Sequence, residues 1–366
     1  MPRRKLDPAC PTWHLRRMED VVGLAKELVS IESVTGREGT VVAHIEERLK
    51  DQGWKTLLQP VPHGDGGVKA PRANVLAVDD DLDPPRLVFT THLDTVPPFI
   101  APTENDSTLF GRGTCDAKGI FAAQWLAITE LRKRGHRGLA LLGVVGEETD
   151  SLGAKMAQSI LPSAEWIVDG EPTKLVMTSA AKGILGLKLS VKGVAAHSAY
   201  PELGTSATHA LTRALARLVD AELPSEAAYG PTTLNIGSFT GGVAPNVIAP
   251  HASAELLVRL GASSKVVREA LDRLIGEGVD VEVTTMSEPL AIYAPEGYRS
   301  APVSFGSDVP YLVPLGKTLL VGPGSIHDAH TAGEKIGKDE LTEAVRFYVE
   351  LGERLLGMPP SATPKR

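Results

Sequence analysis

The sequence predicts an α/β protein: a mixed sheet flanked by helices, interrupted by an inserted ferredoxin-like α+β domain. Three observations carry that expectation. The run L-A-L-L-G-V-V-G, residues 139–146, is apolar or glycine throughout, as suits a strand buried on both faces of a helix-covered sheet. Three further short apolar runs likewise end in, or just before, a histidine or an acid. Between residues 178 and 289 the pattern changes to β-α-β-β-α-β, the ferredoxin-like order. The expected division is one α/β domain over 1–177 and 290–366, interrupted by an insertion over 178–289 of a size that suits a lid or dimerisation domain.

With 366 residues the chain can bury a sizeable core, and its length suits two domains. At 42% hydrophobic and 23% charged residues it reads as an ordinary globular protein. A net charge of −7 argues against nucleic acid or an anionic membrane as partner. Cys10 and Cys115 make no disulfide framework, which points to a reducing compartment. The first dozen residues are basic, lack an apolar segment and are expected to fray. No apolar run approaches the ~18 residues of a membrane span, so a cytoplasmic location is expected.

Residues 18–33 carry helical spacing with acids in the first turn, and a second helix is expected from Gly39 to Gln52, capped by Gly53. A Pro- and Gly-rich loop over 60–72 precedes strands at Asn74–Val78 and Arg86–Thr91. The second strand runs into His92-Leu93-Asp94, where a histidine can be a ligand and the acid can fix its tautomer. The competing reading is a packed loop histidine.

The stretch L-F-G-R-G-T-C-D-A-K-G-I leads into a helix from Ile120 to Arg134. It is not a dinucleotide fingerprint, because Thr114, Cys115 and Asp116 follow G-R-G where a third glycine belongs. Asp116 is either an N-cap or a metal ligand at the helix N-terminus. Glu147 and Glu148 then arrive at the carboxyl end of the 139–146 strand, where open α/β sheets place their chemistry. The run A-E-W-I-V-D-G leads to Glu171, and a strand over Thr318–Val321 precedes His327 and His330. His92, Asp116, Glu148, Glu171 and His330 together make a hard, oxygen-rich donor set for divalent metal, with an aspartate able to bridge two ions. In the insertion, strands are expected at Lys182–Val191, Thr232–Thr240, Ser253–Leu260 and Val279–Thr285, and helices at Thr205–Val219 and Ser264–Ile275.

The motifs T-H-L-D-T-V-P, G-R-G-T-C-D-A-K-G, V-G-E-E-T, D-G-E-P-T, K-G-V-A-A-H-S-A-Y-P-E-L-G, A-P-N-V-I-A-P and G-P-G-S-I-H-D-A-H-T follow one another over roughly residues 20–355. In that order the chain resembles the two-metal amidohydrolases that include acetylornithine deacetylase, succinyl-diaminopimelate desuccinylase, aminoacylase and the glutamate-releasing carboxypeptidases. The resemblance implies a zinc-exopeptidase-like catalytic domain. It implies that His92, Asp116 and Glu171 hold one metal and that Asp116, Glu148 and His330 hold the other. Glu147 matches the general base and Asp94 the partner of His92; a cis peptide bond is implied after Asp116. His197 matches a lid histidine that serves the partner subunit's site in related dimers, and Asn246 and Arg259 match substrate contacts. Arginine suits a carboxylate because its planar fork donates two parallel hydrogen bonds. Two departures stand out: Ala117 replaces the usual methionine, and F-G-S-D-V-P-Y-L lacks the G-G-T-S-D of desuccinylases.

The implied activity is hydrolysis of the amide of an N-acylated amino acid, as in acetylornithine deacetylase, by a homodimer joined through the lid. Two zinc ions are the expected cofactors, with cobalt or manganese acceptable to the same donors. The first alternative is a carboxypeptidase or dipeptidase acting on small peptides. A cysteine or serine hydrolase fits less well, since nothing local pairs Cys115 with a base and no G-x-S-x-G occurs. From another class, a non-catalytic binder of an amino-acid derivative would have no need of the proton shuttle at Glu147.

Overall fold

The structure is a computed structural model that describes residues 19–63, 71–79 and 84–357. The first dozen residues, Cys10 among them, and the Pro-rich C-terminal tail lie outside these ranges. Two compact units divide the chain, one formed by Met1–Val176 with Ser307–Arg366, the other by Met177–Gly306.

The first part of the first unit carries α1 (Glu19–Ser30), α2 (Gly39–Asp51), β1 (Lys55–Pro60), β2 (Ala73–Val78), β3 (Leu87–His92), β4 (Thr103–Glu104), β5 (Thr108–Phe110), α3 (Lys118–Lys133), β6 (Leu139–Val144), α4 (Leu152–Ala157) and β7 (Trp166–Asp169). In the inserted unit follow β8 (Met177–Ala181), β9 (Gly183–Lys192), α5 (Ala207–Val219), β10 (Thr233–Gly241), β11 (His251–Leu260), α6 (Ser264–Ile275), β12 (Asp280–Ser287), β13 (Leu290–Ala291) and β14 (Ser300–Val303). The chain then returns to the first unit with α7 (Val309–Leu312), β15 (Lys317–Leu320), β16 (Lys335–Gly337) and α8 (Lys338–Gly357).

A six-stranded sheet in the order β1-β2-β6-β3-β7-β15 forms the centre of the first unit. The strands β6, β3, β7 and β15 run parallel, while β2 and β1 pair antiparallel on one edge. Every residue of β3, β6 and β7 is buried, which is why their sequences are uncharged until the last position. Val88, Leu142, Val144 and Ile167 pack on one face with Ala157 of α4 and Leu312 of α7. On the other face Phe89 meets Tyr348 of α8 at a ring separation of 5.3 Å, and α3 lies against β3 and α8. Because the central strands are parallel, their carboxyl ends gather at one edge, and each delivers the chain to a loop there.

In the inserted unit the sheet order is β10-β11-β9-β12, all antiparallel, with α5 and α6 covering one face. Leu185, Leu187, Leu189 and Val191 of β9 supply the alternating apolar side and meet Leu211, Leu215, Val267 and Leu271 of the helices. This unit extends past residue 289, where the sequence pattern put its end. β8 needs hydrogen-bonding partners on both edges, and β13 and β14 provide them, so residues 290–306 fold with the insertion.

Candidate metal centre

β3 ends at His92, whose ring is buried at 2% exposure. Its Nδ1 lies 3.0 Å from the backbone carbonyl of Asp94, an acceptor that places the proton on Nδ1 and leaves Nε2 as the donor atom. Nε2 points at Asp116 Oδ1, 2.9 Å away. Burial opposes a charge on this ring, but Asp116, Asp94 and Glu147 outweigh it and push the pKa well above the ordinary histidine value.

The carboxylate of Asp94 is 3.6 Å from His92 Nδ1, too far for a hydrogen bond. It is used elsewhere. Oδ1 accepts from the backbone N–H groups of Gly146 (2.9 Å) and Glu147 (3.1 Å); Oδ2 accepts from that of Glu148 (3.2 Å) and from the Thr35 hydroxyl (2.8 Å). Asp94 therefore folds the loop that carries both glutamates, while its backbone, rather than its carboxylate, sets the His92 tautomer.

Asp116 precedes α3 but does not cap it: the N-cap position belongs to Ala117, with no side-chain bond. The Asp116–Ala117 peptide is cis. The carboxylate instead stands between two imidazoles, Oδ1 toward His92 and Oδ2 at 3.3 Å from His330 Nε2. Burial works to raise its pKa, but the hydrogen bonds from His330 and His92 prevail and hold it below the carboxylate range. His330, in the left-handed region at φ 62°, also lies 2.9 Å from Glu148 Oε2, and its two acid partners push its pKa up to about 10. His327 is exposed and its backbone N–H donates to Ser325 Oγ; of the two histidines, His330 is the one that reaches Asp116 and Glu148, although it stands outside the two tightest donor groups.

Among the described residues, two groups place one donor atom each within 4.8 Å of one another: His92, Asp116 and Glu148, and His92, Glu147 and Glu171. The resemblance pairs Glu171 with His92 and Asp116; here Glu147 completes the compact trio with Glu171. Burial pushes the carboxyls of both Glu171 and Glu147 well above their usual range. Glu147 and Asp116 add to the effect at Glu171, as do Asp308, Asp116 and Asp94 at Glu147. Crowded buried carboxylates of this kind repel one another, and divalent cations among them would remove the repulsion. Two histidines with several carboxylates fit that role as donors.

Further buried groups at this edge were not found by sequence reasoning. Asp169 ends β7 and Asp308 precedes α7; both are 2% exposed, and burial raises both pKa values, with Asp308 adding to the effect at Asp169 and Asp94 to that at Asp308, whose pKa reaches about 6. Asp308 lies in the F-G-S-D loop, where the sequence offered only a departure from a family pattern. Glu334 and Thr35 carried no pattern at all. Cys115 is fully buried against the Ser325 carbonyl, and burial with Asp116 and Glu334 raises its thiol pKa far out of reach, so it is no nucleophile.

His197, Asn246 and Arg259 lie in the inserted unit. His197 forms a β-bridge with Val247, and the N–H of Ser198 donates to the Asn246 carbonyl at 3.0 Å, which sets His197 and Asn246 on paired segments. Arg259 sits on β11 opposite Ile184 and Thr233, half-buried. A cavity of about 570 Å³ lies in the same unit, bordered by Ser198, Thr208, His209, Gly242 and Pro245, and none of the candidate metal ligands borders it.

The convergent imidazoles and carboxylates beyond these strands match the donor set of a metal-dependent hydrolase. Residues 179–280 match the model of the peptidase dimerisation domain. The chain is 38% identical to a probable carboxypeptidase of Aspergillus terreus, over 90% of this chain and 84% of that one. It is 35% identical to a peptidase M20 domain-containing protein of Schizosaccharomyces pombe, over 90% and 83%. The chain belongs to the M20 peptidase family. Among solved structures, the aminopeptidase PepT of Bacillus cereus superposes with a TM-score of 0.75 at 24% identity, covering 92% of this chain and 98% of that one. An M20 family metallo-carboxypeptidase of Sulfolobus solfataricus gives 0.70 at 16%, covering 93% and 100%. The Aspergillus terreus and Schizosaccharomyces pombe relatives are described as a probable carboxypeptidase and a peptidase, which favours the peptidase alternative over the deacetylation that the motifs first implied. No described helix is long and apolar enough to cross a membrane.

Proposed function

We propose that the protein is a metallo-exopeptidase that removes a C-terminal residue from short peptides, working as a cytoplasmic homodimer with two zinc ions. One observation carries the reading. His92, Asp116, Glu147, Glu148 and Glu171 fall into two groups at metal-ligand spacing, and His330 reaches Asp116 and Glu148, in a chain whose relatives are described as probable carboxypeptidases.

His92, Asp116 and Glu171 would hold one cation and Asp116, Glu148 and His330 the other. When bound, the pair would supply Lewis acidity and lower the pKa of water at the site. Glu147 takes a proton from the attacking water and passes it to the leaving amine, a task suited to a carboxyl whose pKa is raised by burial. Asp94 holds the Glu147 backbone still while this happens. His197 donates to the developing oxyanion, and Asn246 and Arg259 bind the peptide, Arg259 at its terminal carboxylate. The dimerisation domain over 179–280 supports the dimer.

The test is a substrate panel on zinc- or cobalt-loaded protein: N-blocked dipeptides and tripeptides, the same peptides with amidated C-termini, and N-acetyl amino acids. Peptides with a free carboxylate are expected to be cleaved fastest, and amidation is expected to abolish cleavage. N-acetyl amino acids turned over faster than every peptide would return the reading to a deacylase.

A further inference from the structure

Glu334 lies four positions after His330 and is 1% exposed. Its Oε1 accepts from the backbone N–H groups of Gly113 (2.8 Å), Cys115 (3.2 Å) and Asp116 (3.2 Å). Oε2 accepts from the guanidinium of Arg112, itself buried, and the Glu334 carbonyl accepts from the Gly111 N–H at 3.0 Å. One residue is thereby bonded to five of the six positions from 111 to 116. That loop ends in Asp116, whose two oxygens face His92 and His330. Glu334 thus ties together the two segments, 111–116 and 330–334, that meet at Asp116.

Converging backbone N–H groups form a concave site for an anion, and charge-assisted bonds of this kind are roughly twice as strong as neutral ones. We propose that Glu334 is a positioning residue for the metal centre. By gathering the N–H groups of the 113–116 loop onto one oxygen, it fixes the Asp116 carboxylate between His92 and His330, where it would serve as a ligand. This rests on the metal-centre reading given above. Asp94 does the same for the loop of Glu147 and Glu148, so both of these loops are wrapped around a buried carboxylate from another part of the chain.

The experiment is a cobalt(II) titration of the metal-stripped full chain, following the d–d absorption and the affinity by competition with a chelator. Wild type, Glu334→Gln, Glu334→Asp and Arg112→Lys are compared, with the melting temperature of each metal-free form as a separate readout. Glu334→Gln keeps the shape but removes the charge, and is expected to bind cobalt about 10–100-fold more weakly, with an altered spectrum. Arg112→Lys leaves the three backbone bonds intact and is expected to bind as wild type does. A folded Glu334→Gln with wild-type affinity and spectrum overturns the proposal. So does an equal loss of affinity in Arg112→Lys, which would assign the effect to general loosening of the loop. If Glu334→Gln does not fold, Glu334→Asp decides: weaker binding supports the positioning role and unchanged binding refutes it. A wild type that takes up no cobalt would instead bring down the metal-centre reading itself.

Discussion

Glu147 and Glu148 are adjacent in sequence, and Asp94 holds the N–H of each, but their side chains go to different neighbours. Glu148 Oε2 lies 2.9 Å from His330 Nε2, whereas Glu147 groups with His92 and Glu171. The proposed division of work has a direct consequence. Glu147→Gln should lower kcat by roughly 10²–10⁴-fold while keeping its metal, since a general base contributes about that much. Glu148→Gln should lose metal as well as rate. Steady-state kinetics beside metal analysis checks both, and equal metal loss in the two variants would contradict the division. The five proposed ligands and Glu147 were legible in the sequence because strands or family motifs lead to them. Glu334 and Thr35 were not, because a buried acid or hydroxyl that binds backbone N–H groups leaves no pattern. Asp94 was found, but its carboxylate bonds to a loop some fifty residues away, which no local spacing reveals.

At the scale of elements, Glu104 of β4 joins α1 and α8, with Lys26 Nζ at 2.5 Å and Lys338 Nζ at 2.7 Å. Lys26 first and Lys338 second pull its pKa from 4.5 down to about 2. A carboxylate depressed in the folded state contributes stability that is complete above the unfolded pKa and vanishes as pH falls through the folded one. The stability gap between wild type and Glu104→Gln should therefore be constant above pH 4.5 and close as pH falls toward about 2. Urea unfolding at low salt over that range measures it. Added salt should shrink the gap, because the pair is exposed. A gap that widens on acidification would refute the assignment. Element recognition followed burial in the same physical way. The core strands β3, β6 and β7 were readable because both faces are buried, and β9 because its apolar positions alternate. β1 was missed: it is an edge strand whose only buried residue is the polar Gln59, so no hydrophobic period marks it. α4 and α7 are too short to show a period. The close approach of α3 to its preceding loop was equally hidden. A Cβ at Gly119 would stand 2.1 Å from the Thr114 carbonyl oxygen, so only glycine lets the helix begin directly under that loop.

For the whole molecule, the two units divide the chemistry unequally. All five proposed ligands belong to Met1–Val176 and Ser307–Arg366, and none to Met177–Gly306. A cation that binds only the folded site stabilises it by RT ln(1 + [L]/Kd), about 4 kcal/mol at a thousandfold excess over Kd. That free energy opposes only those openings that separate the ligands from one another. The ligands follow β3, β6, β7 and β15 and ride on the 111–116 loop, so separating them means opening the parallel part of the sheet. Adding zinc to metal-stripped protein should therefore slow amide exchange in those four strands and that loop, by up to ~10³-fold at such an excess. Exchange in β9, β11 and the α5 and α6 helices should be unchanged, because their core of Leu187, Leu211, Val258 and Leu271 is their own. Exchange read by peptide mass spectrometry distinguishes the outcomes. Equal slowing over 183–287 would mean that the insertion opens only together with the sheet, and that the metal's stabilisation reaches the whole chain rather than the unit that binds it.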